Sequence, residues 1–398
     1  MKGNLTSRSA LILIVIAQFL GTSLWFAGNA VAPELGYLVG KPELVSWITS
    51  AVQLGFISGT LVFAFFSIPD RFPPASVFLY SAFLAASFNF LITIIPLNLV
   101  IILTFRFLVG FFLAGIYPVG MKIAADYFEK GLGVALGFLV GALVLGTAFP
   151  HLIKGLNLSF DWQITFYVTS ALAIIGGLLV GFFVPSGPFR KPNLVFDLGL
   201  LPKLSKINGL KSAASGYFGH MWELYTFWAF LPLLILFLKG SEVAGSQESL
   251  LTFFVIASGA VSCAVGGLLS HKIGSRAVAT FALIGSGICC LTLIFVQGAN
   301  SEIWTVLLIF WGILITADSP QFSTLVAQSV IPEYRGTALT VVNSLGFLIS
   351  VISIQVTQIL LTWFSIVEVL SFLVIGPILG LSLFRLFYKK AKQFVSTS

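Results

Sequence analysis

Charge is what this sequence has least of. Only 9% of its 398 residues are Asp, Glu, Lys or Arg, against 58% hydrophobic, and the mean hydropathy is +1.05. A soluble domain carries about 25% charge, so no water-soluble fold can hide this much apolar surface and the solvent must be lipid. Cysteine is scarce too. Cys263, Cys289 and Cys290 all sit inside apolar runs, and adjacent helical residues do not face one another. That excludes a disulfide framework and leaves no His/Cys set for a metal. No G-x-x-x-x-G-K-[ST] loop occurs, so ATP does not drive this protein. No G-x-S-x-G, no paired aspartates in one span and no soluble domain occur either, so the chain is not read as an enzyme and needs no cofactor. A non-transporting sensor would need a signalling segment, and neither the tail after Arg385 nor any linker is long enough for one.

What is present is a series of apolar runs long enough to cross a ~30 Å hydrocarbon core as helices. They fall near 9–31, 44–66, 76–95, 98–121, 131–153, 162–183, 212–238, 249–270, 277–297, 303–327, 337–361 and 367–387, which makes twelve spans. The first could pass for a signal peptide, but its length and the eleven spans after it favour a retained helix. With the N-terminus inside, 17 of the 21 Lys and Arg face the cytoplasm. Only Lys41, Lys154 and Lys239 face out, and Arg106 lies within a span. This bias predicts cytoplasmic termini in a cell (inner or plasma) membrane. It also explains the net charge of +7 as anchors on an anionic leaflet rather than a nucleic-acid surface.

The chain repeats itself. The turn Ser67-Ile-Pro-Asp-Arg-Phe-Pro-Pro-Ala-Ser-Val77 corresponds to Ser270-His-Lys-Ile-Gly-Ser-Arg-Ala-Val278, with Asp70 set against His271. Glu129-Lys-Gly131 corresponds to Glu333-Tyr-Arg-Gly336, with Lys130 set against Arg335. Two matches at about half the chain length predict an N-terminal six-helix bundle over 1–183, a basic cytoplasmic linker over 184–211 and a C-terminal bundle over 212–398. Transporters built this way bind solute between the repeats and rock one half against the other.

Gly267-Leu-Leu-Ser-His-Lys-Ile-Gly-Ser-Arg276 resembles the G-x-L-x-D-R-x-G-R-K loop of the major facilitator superfamily, with His271 in the acidic slot. Asp70-Arg71 fits the same motif in the first half, although Pro73 and Pro74 replace its Gly and Arg. Thr104-Phe-Arg-Phe-Leu-Val-Gly110 looks like that superfamily's fourth-helix R-x-x-x-G motif. The resemblance covers the full chain. It implies an all-α membrane fold of twelve transmembrane helices in two bundles related by a pseudo-two-fold. Helices 1, 4, 7 and 10 would line a central cavity, and 2, 5, 8 and 11 would form the interface between halves. It also marks Asp70, Arg71, His271, Lys272 and Arg276 as gating-loop residues. The stretch Gly131-Leu-Gly-Val-Ala-Leu-Gly137 resembles nitrate and cyanate permeases, which makes inorganic anion uptake the alternative reading. Gly-Thr-Ala-Phe-Pro over 146–150 lacks the Gly-Pro pair of drug–proton antiporters.

Three ions lie deep in spans: Arg106, Glu223 and Asp318. Intramembrane ions are costly and by default functional, and all three fall on helices that the resemblance assigns to the cavity. An intramembrane carboxylate can load and release a proton near neutral pH. Glu223 is the first candidate, with His220 one turn away as modulator and Asp318 as second carrier. The duller reading makes Glu223 a structural hydrogen-bond partner and Asp318 a cap on a helix break before Pro320. Arg106 makes an anionic solute plausible. Gln18, Thr22, Trp25 and Asn29 form a stripe on span 1; Trp311, Asp318 and Gln321 do so on span 10. On span 7, helical spacing puts Gly216, Gly219, His220, Glu223, Thr226, Phe227 and Phe230 on one face, expected to line the cavity, and Phe218, Trp222, Tyr225 and Ala229 on the other. Tyr117 joins Trp25 and Trp311 as an aromatic contact. His151 and His271 read as loop residues, and the glycines of span 5 as a close-packing surface. The sum is a monomeric, proton-coupled secondary transporter of a small organic solute.

Overall fold

A computed structural model describes residues 6–128, 132–156, 161–190, 196–239, 245–296 and 298–397. These are helical, with no strand among them. Helices carry the numbers of the spans they form. Helix 1 is Ser7–Thr22, helix 2 Leu44–Phe65, helix 3 Pro74–Leu91, helix 5 Leu132–Leu156, helix 6 Gln163–Phe183 and helix 7 Asn208–Lys239. Helix 8 is Gly245–Ile273, helix 9 Ser275–Thr292, helix 11 Arg335–Leu360 and helix 12 Ile375–Thr397. Helix 4 runs Leu99–Leu113 and resumes at Tyr117–Ala125; helix 10 runs Ser301–Ala317 and resumes at Ser319–Gln328. Eleven of these are long and apolar enough to cross a membrane. Helix 1 has only 16 residues, about 24 Å at 1.5 Å per residue.

The expected continuous first span is thus broken. Helix 1 ends at Thr22, whose hydroxyl turns back onto the Gln18 carbonyl at 2.7 Å. The chain then continues as two short pieces, Ala27–Ala30 and Ala32–Val39. The Trp25 carbonyl accepts instead from the Arg106 side chain of helix 4, and the Leu24 carbonyl accepts from it as well as from the Ala27 amide at 3.4 Å. Helix 7 starts earlier than expected, so the linker yields its last residues to it. Glu129, Lys130 and Gly131, one half of a repeat match, lie outside the described residues, as do Lys191, Pro192 and the three residues after them.

Helices 4 and 10 are built alike. The side chain of Asn98 caps helix 4 by accepting from the Ile101 amide at 2.9 Å, and Asn300 caps helix 10 through the Ile303 amide at 3.4 Å. Gly110 lies against the Val52 carbonyl of helix 2, and Gly312 against the Val255 carbonyl of helix 8. Each helix restarts on a proline in its first turn, Pro118 and Pro320, where the missing amide leaves nothing unpaired. All three pairs stand 202 positions apart (300 − 98, 312 − 110, 320 − 118). The seam continues past them: Gly59 meets the Phe111 carbonyl and Ala114, while Ser262 hydrogen-bonds Thr316 at 2.9 Å.

Helix 5 packs along helix 8 through small residues. A Cβ on Gly141 would sit 2.9 Å from the Ala260 carbonyl, and one on Gly137 3.1 Å from that of Cys263. Near the far end of the helix, Gly155 meets Leu250. Gly146 of helix 5 turns to helix 1 instead, against Thr22 and the Phe19 carbonyl. His151 is no loop residue. It sits one turn from the end of helix 5, buried, with no hydrogen-bond partner for either ring nitrogen among the described residues. Helices 2 and 11 meet on the side away from the termini. There Gln355 donates to the Ser50 hydroxyl at 2.8 Å and the Ser46 carbonyl at 3.2 Å, and Ser350 donates to Gln53 Oε1 at 2.9 Å.

Candidate functional site

Arg106 is fully buried and faces no carboxylate within ion-pair distance among the described residues. Its Nη2 donates to the carbonyls of Leu24 at 2.9 Å and Trp25 at 2.6 Å, and its Nη1 to Asn89 Oδ1 at 2.9 Å. Asn89 in turn donates to Thr169, Ser170 and the Phe166 carbonyl of helix 6. The guanidinium is therefore a clamp. It replaces the hydrogen bonds that the break in helix 1 removes, and it ties helices 1, 3, 4 and 6 together. As an anion contact, its two Nη groups are already engaged, and Nε alone is left without a partner among the described residues. Asn89 is absent from the sequence-derived candidates because a lone Asn in an apolar run shows no partner by spacing alone.

Glu223 is equally buried, and it accepts three hydrogen bonds from two neighbouring helices. Trp311 Nε1 donates to Oε1 at 2.5 Å, Cys290 Sγ to Oε1 at 3.3 Å and Ser286 Oγ to Oε2 at 2.9 Å. Phe227, one turn on, stacks on Trp311 with ring centroids 4.2 Å apart. Thr226 donates to Ser353 of helix 11 at 2.8 Å, Gly219 lies against Gly376 and Gly380 of helix 12, and Gly216 against Phe322. The face of helix 7 expected to line the cavity packs instead on helices 9, 10, 11 and 12. Trp311 and Thr226, read as solute contacts, are taken up in this packing.

The other side of helix 7 meets the first half of the chain. Tyr225 stacks near Trp25 at 5.9 Å and lies 6.5 Å from Phe26; Trp228 is 6.1 Å from Phe26. Phe347 of helix 11 completes the cluster, 5.7 Å from Trp25, 4.7 Å from Phe56 and 5.2 Å from Tyr225. Of the bulky face, read as packing on lipid or neighbouring helices, Tyr225 is thus in aromatic contact with the break after helix 1, while Trp222 lies against Gly376 of helix 12. The break in helix 1 is what turns Trp25 and Phe26 into that aromatic contact.

His220 and Asp318 form the remaining buried polar pair. Asp318 occupies the single-residue break in helix 10, between Ala317 and Ser319, but its side chain caps nothing. It lies with Oδ1 2.8 Å from His220 Nδ1, both residues buried. The approach is at ion-pair distance but off the hydrogen-bond direction. Neither carboxylate oxygen of Asp318 and neither ring nitrogen of His220 has a hydrogen-bond partner among the described residues. The His220 ring lies 5.9 Å from that of Tyr217 and 6.4 Å from Phe322.

The other expected site residues are dispersed. Gln18 is buried beside Gly120 with neither amide atom paired among the described residues. Asn29 donates to Thr49 at 2.6 Å. Tyr117 stands half-buried where helix 4 resumes, and Gln321 is buried one turn past Asp318. In the loops, Asp70 pairs with Lys122 at 2.6 Å, and Arg190 of the linker donates to the Asp70 and Phe72 carbonyls. Gly274, at φ +84°, lets helix 8 turn directly into helix 9. Arg276 then lies 3.6 Å over the Tyr388 ring and 4.1 Å over Phe384; Arg71 is exposed, and so are His271 and Lys272, which belong to the last turn of helix 8 rather than to a loop.

No curated protein matches the sequence. Among solved structures, a bacterial homologue of the human lysosomal transporter Spinster superposes in two forms. Its inward-facing, occupied form gives a TM-score of 0.69 at 13% identity, covering 97% of this chain and 98% of that one. Its inward-facing, unoccupied form gives 0.69 at 14% identity, covering 98% and 99%. At such identity the likeness speaks for the fold alone. The sequence itself matches the profile of the Major Facilitator Superfamily over residues 11–354, and again over 213–393. With most of its length under that profile, and with the fold to match, the chain belongs to the major facilitator superfamily, a family of membrane transporters and not of enzymes.

Proposed function

We propose that this protein is a proton-coupled secondary transporter of a small organic solute. It works as a monomer of two six-helix halves, 1–183 and 212–398, joined by the linker 184–211. Both termini lie in the cytoplasm and the protein sits in the cell membrane. The seams shared by helices 2 and 4 and by helices 8 and 10, offset by 202 residues, support two equivalent halves. The small-residue contact of helices 5 and 8 supports rocking between them. The hydrogen bonds between helices 2 and 11 and the aromatic cluster would close the pathway on the side away from the termini, leaving access from the terminal side.

The observation that carries the proton-coupled reading is the buried His220–Asp318 pair. It joins helix 7 to the break in helix 10, and none of its four side-chain polar atoms has a hydrogen-bond partner among the described residues. An unsatisfied buried polar atom costs about 1–3 kcal/mol, a penalty that a proton or a solute group can relieve. Glu223, held by three donors, is the weaker carrier, and we assign it a structural role. The inorganic-anion alternative is less favoured, because the two Nη groups of the deep cation Arg106 are engaged.

Purified protein in liposomes containing a pH-sensitive dye tests this. In a panel of amines, carboxylates and aromatic solutes, at least one should drive proton movement through the wild type and none through Asp318→Asn. Undiminished proton movement through Asp318→Asn sinks the assignment. If no solute in the panel moves protons through the wild type, coupling itself is refuted.

A further inference from the structure

On the side of the membrane that holds the termini, the two halves treat their cations differently. In the first half Lys122 pairs with Asp70 at 2.6 Å. The repeat sets His271 where that acid stands. From Lys211 onward, no Lys or Arg lies within ion-pair distance of a carboxylate among the described residues.

Four of these unpaired cations nevertheless converge. Arg276, at the start of helix 9, is half-buried, with its guanidinium carbon 3.6 Å from the centre of the Tyr388 ring, and it donates to the Ser212 hydroxyl at 3.4 Å. Lys211, next to Ser212 on helix 7, holds its ammonium 5.7 Å from the Phe387 ring. Helical spacing brings Lys390 back over Phe387, at 5.8 Å, and Lys392 back over Tyr388, at 5.1 Å. Two neighbouring rings of helix 12 thus collect positive charge from three helices. Rings soften such crowding without neutralising it, since a cation–π contact at an exposed site is weak and gathered like charges repel. Arg276 and Lys211 also stand in the first turns of their helices, where the helix dipole opposes a cation. An anion among the four relieves all of these costs.

Helix 12 indicates which anion. Leu379, Leu383, Leu386 and Lys390 share one face by helical spacing. The leucines are 56%, 41% and 46% exposed, and Lys390 is exposed as well. This face is apolar along the membrane and cationic at its end. A free anion would use only the end, whereas a phospholipid uses both. Phe387 and Tyr388 sit beside Leu386, as aromatic rings do at a membrane boundary.

We propose that the ends of helices 7, 9 and 12 form a discrete site for one anionic phospholipid. Its phosphate sits among Lys211, Arg276, Lys390 and Lys392, and one acyl chain lies along Leu386, Leu383 and Leu379. The lipid gives the second half the negative charge that Asp70 gives the first, and it ties the starts of helices 7 and 9 to the end of helix 12. The site is separate from the solute pathway and holds whatever solute is moved.

Lipid binding to the delipidated, purified full-length protein tests the proposal. The probes are phosphatidylglycerol and phosphatidylcholine with the same acyl chains, and glycerol phosphate, which is the headgroup anion alone. In one detergent, the protein should bind one phosphatidylglycerol about fivefold or more tightly than phosphatidylcholine. Glycerol phosphate should bind about tenfold or more weakly than the lipid, because it lacks the acyl chain. Lys390→Gln combined with Lys392→Gln removes two exposed charges, so folding is not at stake. It should lower phosphatidylglycerol affinity by about tenfold, leave phosphatidylcholine binding unchanged, and abolish the rise in melting temperature that phosphatidylglycerol gives the wild type. Arg8→Gln combined with Arg71→Gln, an equal loss of charge on the same side of the first half, should change none of these. Equal affinity for the two lipids reduces the cluster to a plain anchor and overturns the proposal. So does glycerol phosphate binding as tightly as the lipid, which would make this a soluble-anion site. Unchanged phosphatidylglycerol binding in the lysine variant overturns it too, as does an equal loss in both double variants, which would reveal only the diffuse field of the rim.

Discussion

Glu223 offers a sharp separation of structure from coupling. In Glu223→Leu the Trp311 Nε1–H loses its acceptor in a buried site, at a cost of about 1–3 kcal/mol. The other two donors lose less. Ser286 Oγ already lies 3.2 Å from the Leu283 carbonyl and can turn its hydroxyl there, and the Cys290 thiol is a weak donor. Glu223→Gln keeps a carbonyl oxygen for Trp311, and its amide can donate to the Ser286 hydroxyl, so the expected cost is below about 1 kcal/mol. An unfolding entropy of about 2 cal/mol/K per residue over 398 residues translates these costs into melting temperatures. Glu223→Leu should melt about 1–4 °C lower and Glu223→Gln within about 1 °C of wild type. Both should still move protons when solute is supplied. Melting by intrinsic fluorescence and proton flux in liposomes, taken on the same preparation, give the two readouts. If Glu223→Gln melts like wild type but moves no protons, the carboxylate is the carrier and its three donors have been misread as structural.

Arg106→Lys should fold but melt several degrees lower and transport poorly, because one ammonium cannot serve Asn89 and two carbonyls in the fork geometry of a guanidinium; an unchanged melting temperature in a thermal scan would refute the clamp. Gly110→Ala and Gly312→Ala should each destabilise by about 1–3 kcal/mol or more, since the new Cβ meets a carbonyl of the neighbouring helix. Gly336→Ala, with nothing within 4 Å of its Cβ position, serves as the control, and equal melting of all three would discount the seams. A cysteine placed at Ser205 in the linker should react with impermeant reagents only from the cytoplasmic side; labelling in intact cells from outside would invert the orientation.

The apolar runs announced nearly every helix, because membrane crossing demands a long uninterrupted stretch that few other constraints imitate. The breaks were harder. Pro320 marked the one in helix 10, but helix 1 stops at Thr22 with no proline or charge nearby. What satisfies it is a guanidinium 82 residues away from Leu24, and no local pattern carries that. The deep ions were visible as ions, yet their partners were not. Ser286, Cys290 and Asn89 are ordinary residues in apolar runs, and only packing shows which of them a carboxylate or guanidinium will meet. The two faces of helix 7 were separated correctly by periodicity, but the polar one meets helices where a cavity was expected: amphipathicity predicts that a polar face seeks polar company, not whether that company is water or another helix. The best repeat signal, Asn98, Gly110 and Pro118 against Asn300, Gly312 and Pro320, was legible in the sequence and went unread because these residues carry no charge.

That repeat also shows what the two halves do not share. Residue 116, which stands 202 positions before Asp318, is an isoleucine in the corresponding break of helix 4. The break itself is repeated, with a proline restart each time, while the acid occurs once. Backbone geometry of this kind lets a helix bend, and two equivalent bends let two halves rock in equivalent ways. A single carboxylate at only one of them makes the chemistry one-sided. In the proposed mechanism the first half is then a lever, rigidified by Arg106 across helices 1, 3, 4 and 6, and the second half holds the exchangeable charge. Moving the acid should therefore not be neutral: Asp318→Asn combined with Ile116→Asp restores a carboxylate to the core but places it at the bend of helix 4, where His220 is not its partner. Such a double variant should fail to recover proton-coupled flux in liposomes. Recovery would mean that a carboxylate at either bend suffices, and that pairing with His220 is incidental to coupling.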